Sequence, residues 1–398
     1  MRKNKVTIVL VGIIAILAIS LAVTFAVTRS NSKKRQSGYY YIDLDGNVVS
    51  GAFDKESRPG IYGECYFDEH GIAKISKKNG ENTTFDDEIY FIDTNFKVIG
   101  NRIFTYGNVL EWEYDNQVYF LCREGNDFQI LDSNMNLVSS IEDYFFDDSK
   151  LIACVSHRLA KGLIPICSKE SNYEKMGYID INCNYAIEPK FCYCIEFSDD
   201  DLAIVRAESG KKGVIDKTGK YVIEPIYFDI TSFSQGVAMA QETENGGARL
   251  IDKTGKLVSE ETFLFDGLYD SSDKLFNEKY TYAVGYEIRE MGFIDKAGKF
   301  AIKLDKREGS FSGGYADVED ENGKYGFIDE NGNLAIPCQY DDLIGFTDDG
   351  IAPVKVGDLW GYIRTDNTWF LEPQFDEAYT FRNGYAYVWL NEDQQIKK

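Results

Sequence analysis

Residues 325–354 read YGFIDENGNLAIPCQYDDLIGFTDDGIAPV, and the pattern of this stretch decides the fold. Tyr325, Phe327 and Asp329 alternate with Gly326 and Ile328; Leu334 and Ile336, then Ala352 and Val354, alternate in the same way. A period of two is the mark of half-buried β-strands. Glu330-Asn331-Gly332-Asn333 separates the first two strands as a hairpin turn. Equivalent turns read Lys217-Thr218-Gly219-Lys220, Lys253-Thr254-Gly255-Lys256 and Lys296-Ala297-Gly298-Lys299. A two-residue turn with positive φ at both centres would crowd the Cβ of Thr218, Thr254 or Ala297. A type I turn followed by one left-handed glycine needs Gly only at that slot. The Asp three residues earlier can cap the turn's N–H groups with its carboxylate. After the second strand, Pro337 cannot donate to a ladder and is expected to end the strand. An aromatic-acidic loop follows, then Gly350 and a third strand that leads into the next copy.

The Asp slot counts the copies: Asp43, Asp93, Asp132, Asp180, Asp216, Asp252, Asp295 and Asp329, with Arg364 in the last. The Pro slot holds Pro189, Pro225, Pro337 and Pro373, and the third strand recurs after Gly236, Gly314, Gly350 and Gly384. The glycine slot holds Gly46, Gly219, Gly255, Gly298 and Gly332, but Phe96, Met135, Cys183 and Asn367 elsewhere. Rebuilt turns are expected around Phe96, Met135 and Cys183; Asn tolerates the left-handed conformation. The copy at 249–291 has Arg249 in place of Gly, lacks the Pro and carries an insertion between Tyr269 and Tyr280. Each copy supplies about three strands in roughly 35 residues, too little apolar surface to fold without neighbours.

These residues resemble the bacterial WG-repeat family. The naming pair is literal at Trp360-Gly361 and relaxed to Met176-Gly177, Lys212-Gly213, Met291-Gly292 and Tyr325-Gly326. The resemblance is good over 176–390 and weak over 38–175. It implies an all-β repeat array, propeller-like or alternatively an open β-superhelix, and no established catalytic motif. The expected organisation is a basic tail (1–5), an apolar span (6–28), a linker (29–38), degenerate repeats (39–175), WG-type repeats (176–390) and a polar tail (391–398).

Val6–Thr28 holds 23 residues without a charge. As a helix it would run about 35 Å, enough to cross a bilayer core. It is longer than the apolar core of a signal peptide and is read as an uncleaved single-pass anchor. Flanking charges nearly cancel, so orientation rests on the simplest role of such a segment, export. The repeats are expected on the extracytoplasmic side of the cell membrane; the cytoplasmic side, or secretion after cleavage near Ala22 or Ala26, are the alternatives.

A net charge of −22 repels nucleic acid and anionic lipid surfaces and suits basic partners or simple solubility. The eight cysteines show no Cys-x₂-Cys spacing, which gives no zinc framework. Cys192 and Cys194 are expected on one face of a strand. His70 and His157 are the only histidines. Neither belongs to a nucleophile motif, and no phosphate-binding or dinucleotide-binding glycine loop occurs. Asp43-Leu44-Asp45-Gly46-Asn47 reads as half a calcium loop or as a hairpin turn. No cofactor or metal is expected.

Candidate structural positions are Asp180, Asp216, Asp252, Asp295, Asp329, Gly219, Gly255, Gly298, Gly332, Trp360 and Gly361. Phe228, Tyr340, Phe346, Phe375 and Phe381 lie in loops and are read either as plugs between copies or as platforms for sugar or peptide. Segment 38–72, with Tyr39-Tyr40-Tyr41 and Cys65-Tyr66-Phe67, resembles the aromatic hairpins of choline-binding wall modules, without their tryptophans. The expected function is a non-catalytic binding or scaffold protein of the envelope, with a protein or envelope polymer as ligand. The alternatives are a carboxylate-dependent hydrolase in a central pore and a wall adhesin acting through 38–72.

Overall fold

The computed structural model describes residues 35–53, 65–77, 88–105, 109–124, 127–142, 160–168, 174–264, 275–276, 279–287, 289–304, 310–392 and 394–397. Val6–Thr28, His157 and most of the Tyr269–Tyr280 insertion lie outside them. The described residues are all-β and contain no helix long and apolar enough to cross a membrane. They form nine small sheets. Pairing is antiparallel except where Trp112 and Glu113 run parallel to Ala160 and Lys161.

Most sheets take the third strand of one copy and the first two of the next. Ile351–Val356, Leu359–Arg364 and Trp369–Phe375 are one such meander, fronted by Asp342–Leu343. One register rule recurs in five sheets: the first residue of the third strand faces the Asp slot of the next copy. Ile72 pairs with Asp93, Leu202 with Asp216, Val237 with Asp252, Tyr315 with Asp329 and Ile351 with Arg364. The last third strand, Tyr385–Leu390, follows the same rule with the first described strand, Gly38–Asp43: Tyr385 pairs with Asp43 and Leu390 with Gly38.

The hairpins have the expected geometry. In the 216–220 turn the Asp216 N–H donates to Lys220 O (3.0 Å) and the Gly219 N–H to Asp216 O (2.9 Å), with Gly219 at φ +78°. The turns at Phe96, Met135 and Cys183 are not rebuilt, which corrects the sequence expectation. Each keeps the same two backbone bonds with the non-glycine residue left-handed, at φ 60°, 65° and 61°. Such a residue costs about 1–2 kcal/mol of local strain, and packing offsets it. Met135 is buried, and the Phe96 ring packs on Tyr41, Phe67 and Tyr385.

Proline does not end the second strand either. Tyr185–Phe191, Tyr221–Tyr227, Leu334–Tyr340 and Trp369–Phe375 all run through it. Trp360 pairs with Phe375 but Tyr362 with Leu371, so Glu372-Pro373-Gln374 bulges opposite the single residue Gly361. The same shift faces Gly177 and Gly213. Proline is tolerated because a residue in the bulge owes the ladder no N–H. Glycine is required because the bulged backbone crowds it. A Cβ on Gly361 would lie 2.7 Å from Pro373 N and 2.8 Å from Leu371 O. In the copy that begins at Met291, where Lys303 stands in the Pro slot, Met291 to Phe293 pair with Leu304 to Ile302 without that bulge.

The described residues form two compact units, one from those up to 105 and from 339 onward, the other from 109 to 338. In the second, core clusters follow one another along the chain, each shared by adjacent copies, as in Ile204, Val214, Ile223, Phe233 and Ile251. In the first, one cluster lies on each face of the Gly38–Asp43 and Tyr385–Leu390 pair. Tyr40, Ile42, Ala386 and Val388 point to one face, and Tyr39, Tyr41 and Tyr387 to the other. Cys192 and Cys194 do not share a face: Cys192 is exposed and Cys194 buried, because the strand breaks between Phe191 and Tyr193.

Candidate functional site

The repeated acids are used by their own turns. In Asp180, Asp216, Asp252, Asp295 and Asp329, Oδ1 accepts the backbone N–H groups two and four residues on. The Thr218 hydroxyl also donates to Asp216 (2.6 Å), and this bond, with the backbone donors, holds the Asp216 carboxyl below the usual range. Thr254 does the same for Asp252, and the Asn333 and Asn331 donors for Asp329. Asp43 caps the N–H groups of Asp45 and Asn47, as in a hairpin turn. Gly219, Gly255, Gly298 and Gly332 all sit at positive φ in the turns. Gly361 accommodates the bulge described above, while Trp360 is half-buried with Lys355 Nζ 5.9 Å from its ring.

Four of the five candidate platform rings are core. Tyr340, Phe346, Phe375 and Phe381 are buried, so they present no face to a ligand. The reading of these rings as platforms is corrected in favour of plugs. A buried Phe precedes the third strand in seven copies: Phe67, Phe197, Phe233, Phe276, Phe311, Phe346 and Phe381. Its loop links copies by hydrogen bonds. Ser234 Oγ donates to Phe276 O (2.7 Å), Thr347 Oγ1 to Phe381 O (2.7 Å) and Asn383 Nδ2 to Phe67 O (2.8 Å). Only Phe228 remains exposed, with Lys211 Nζ 6.0 Å from its ring. The neighbouring Asp229 accepts a 2.6 Å bond from the buried Lys212 ammonium.

A polar-aromatic cluster lies where Gly38–Asp43 and Tyr385–Leu390 pair. Tyr39 and Trp389 are cross-strand partners. The short 377–379 segment lies beside the last strand on its other edge: Trp389 N donates to Glu377 O and Tyr379 N to Tyr387 O. Tyr39 stacks on Tyr387 (centroids 4.9 Å, 10°) and meets the Trp389 edge (4.9 Å, 80°). Its hydroxyl donates to Glu377 Oε2 at 2.5 Å, and the Tyr379 hydroxyl donates to the same oxygen at 3.1 Å. Burial first, and then the bond to Glu377, push the Tyr39 phenol far above the ordinary tyrosine range. Burial and the Glu377 charge do the same for Tyr379. Both phenols therefore remain donors at neutral pH. Groups so displaced, gathered around one carboxylate, mark a site worth testing. Tyr39 belongs to the stretch the sequence singled out. Glu377 and Trp389 were missed, because nothing local announces that Trp389 partners a residue 350 positions earlier. The shared register rule was the signal that could have revealed it.

No curated protein matches the chain. Among solved structures it is similar to BamB from Moraxella catarrhalis, at 11% identity over 90% of this chain and 99% of that one, with a TM-score of 0.40. It is also similar to apo AztD from Citrobacter koseri, at 11% identity over 84% and 93% respectively, with a TM-score of 0.35. The WG containing repeat matches residues 176–211, 213–245, 325–360 and 360–392. With four such repeats between residues 176 and 392, this part of the chain carries the WG repeats that its sequence resembles.

Proposed function

We propose that this is a non-catalytic binding or scaffold protein of the cell envelope, anchored through Val6–Thr28, with its repeats extracytoplasmic and arranged as a propeller-like ring. The observation that carries the ring is the pairing of Tyr385 with Asp43, which repeats between the chain's ends the register used between consecutive copies. Ring closure leaves no open sheet edge, the stable solution for an antiparallel repeat array. The binding role is supported by how the motif is used: its acids cap turns, its glycines admit bulges and most of its loop aromatics fill joints. What varies between copies is then left to meet a partner. The charge favours a basic or neutral partner over nucleic acid.

Two measurements test this reading. Membranes from cells making the full chain are washed with alkaline carbonate, and intact cells are treated with an impermeant maleimide that reaches the exposed Cys192. Retention in the membrane and labelling that Cys192→Ser abolishes are expected. Release by carbonate, or labelling only after lysis, would overturn the anchor or its orientation. For the ring, limited proteolysis should give one cooperative loss; stepwise trimming of terminal repeats would mean an open array.

A further inference from the structure

Trp369–Phe375 is the last strand of its sheet, so one of its edges has no strand beside it. Residues 391–397 of the same chain cover that edge. The bulge at Glu372-Pro373-Gln374 interrupts a regular ladder there, and the Gln374 side chain takes the ladder's place. Its Oε1 accepts the Lys397 N–H (2.7 Å) and its Nε2 donates to the Lys397 carbonyl (2.8 Å). Gln394 answers with its own amide, which donates to Gln374 O (2.6 Å). Ile396 is half-buried against the cluster that holds Leu371, Phe375 and Leu390. A side-chain amide offers a donor and an acceptor side by side, as a peptide group does. Lys190 and Ile226 hold the place of Gln374 before Phe191 and Tyr227. Lys only donates and Ile does neither, so of these three edges the Gln374 edge alone reads a peptide backbone. It selects an extended segment with Gln two residues before a branched apolar side chain.

We propose that residues 391–397 are an exchangeable arm, and that the same segment of a second copy docks on this edge and joins two chains. The arm's grip is local. Beyond Gln374 and the seat of Ile396, Asn391 Nδ2 donates to Asp376 Oδ2 (2.7 Å), and Arg35 donates to Gln394 O (2.9 Å). Its base is a turn at the exposed Asn391 and Glu392: the Asn391 N–H donates to Gln394 Oε1 (2.9 Å) and the Gln394 N–H to Asn391 O (3.1 Å). Water can satisfy these groups when the turn opens. A second copy presents the same donors, acceptors and apolar seat, so each bond given up within one chain is regained between two. Exchange of an identical element is for this reason a low-cost route to a dimer. Reciprocal exchange fills both edges and closes the assembly at two chains.

Full chains carrying two different affinity tags, coexpressed and solubilised in detergent, test the arm. Capture through one tag should recover the other. A synthetic peptide of residues 391–398 should release the second chain. The same peptide with Gln394→Ala or Ile396→Ala should need about tenfold more, the fold-change for one lost hydrogen bond or apolar contact. These peptide variants do not depend on how a mutated chain folds. Gln374→Ala in both tagged chains should abolish recovery. Failure to recover the second tag, recovery that the peptide leaves unchanged, equal release by the substituted peptides, or recovery that survives Gln374→Ala would each overturn the exchange. Carbonate extraction and Cys192 labelling do not involve the arm, so its failure and failure of the envelope reading are separable.

Discussion

Asn383 donates its side-chain N–H to the carbonyl of Phe67 at 2.8 Å, across 316 positions of sequence. Thr347 makes the equivalent bond to Phe381, 34 positions on. The first and last described copies thus meet through the contact that consecutive copies use. Replacing Asn383 with Ala should cost about 1 kcal/mol, the usual net worth of one such bond, and Thr347→Val a similar amount. Urea unfolding of both variants checks this; loss in Thr347→Val alone would make the end-to-end contact dispensable.

The Trp-Gly pair is expected to be unequal in importance. Gly361 faces the bulged backbone of Pro373 and Leu371, which cannot rotate away. Gly361→Ala should therefore destabilise by about 1–3 kcal/mol, the range for overpacking. Trp360→Tyr should stay within about 1 kcal/mol, the range of a tolerated swap at a half-buried position, since Tyr325 fills the same slot in another copy. Denaturation midpoints compare the two; equal losses would contradict the bulge argument.

The left-handed slot also has a direction. Gly219→Ala introduces a Cβ 2.8 Å from Ile187 Cγ2 at φ +78°, and should cost about 1–2 kcal/mol or more. Cys183→Gly relieves a residue already strained at φ 61°. The glycine's greater unfolded-state entropy offsets part of that relief, so a change within about 1 kcal/mol is expected. Thermal melts of the pair check the asymmetry.

Two acids should respond to pH with opposite signs. Burial holds the Asp317 carboxyl above the usual range. A raised folded pKa favours the folded state at low pH, and that contribution is lost as pH rises through it. Asp317→Asn should therefore raise Tm at pH 7 and flatten its fall between the unfolded pKa and neutrality. Asp216 is held low by Thr218, so its contribution is present at neutral pH and lost on acidification through the folded pKa. Asp216→Asn should lower Tm at pH 7 and leave little difference below that pKa. Melts from pH 2 to 7 distinguish the two.

The strands, the turn type and the Asp caps were legible in the sequence because each is settled within about five residues. A period of two, a glycine at a left-handed slot and a carboxylate beside free N–H groups need no distant partner. The turns at Phe96, Met135 and Cys183 were misjudged because packing from other copies pays for their strain, and local conformational preference contains no such information. The proline was misjudged for a related reason: the bulge exists only once Gly361 lies opposite Glu372-Pro373. Tyr340 and Phe375 end strands and do not lie in loops as expected, and the burial of Tyr340, Phe346, Phe375 and Phe381 follows from which neighbouring copies cover them. The sequence by itself determined that a strand-rich unit is copied along the chain. Only the tertiary structure decided that Gly38–Asp43 pairs with Tyr385–Leu390 and brings Tyr39, Glu377, Tyr379 and Trp389 together. Pairing between distant strands is fixed by mutual burial and shared hydrogen bonds, and neither segment encodes that choice alone.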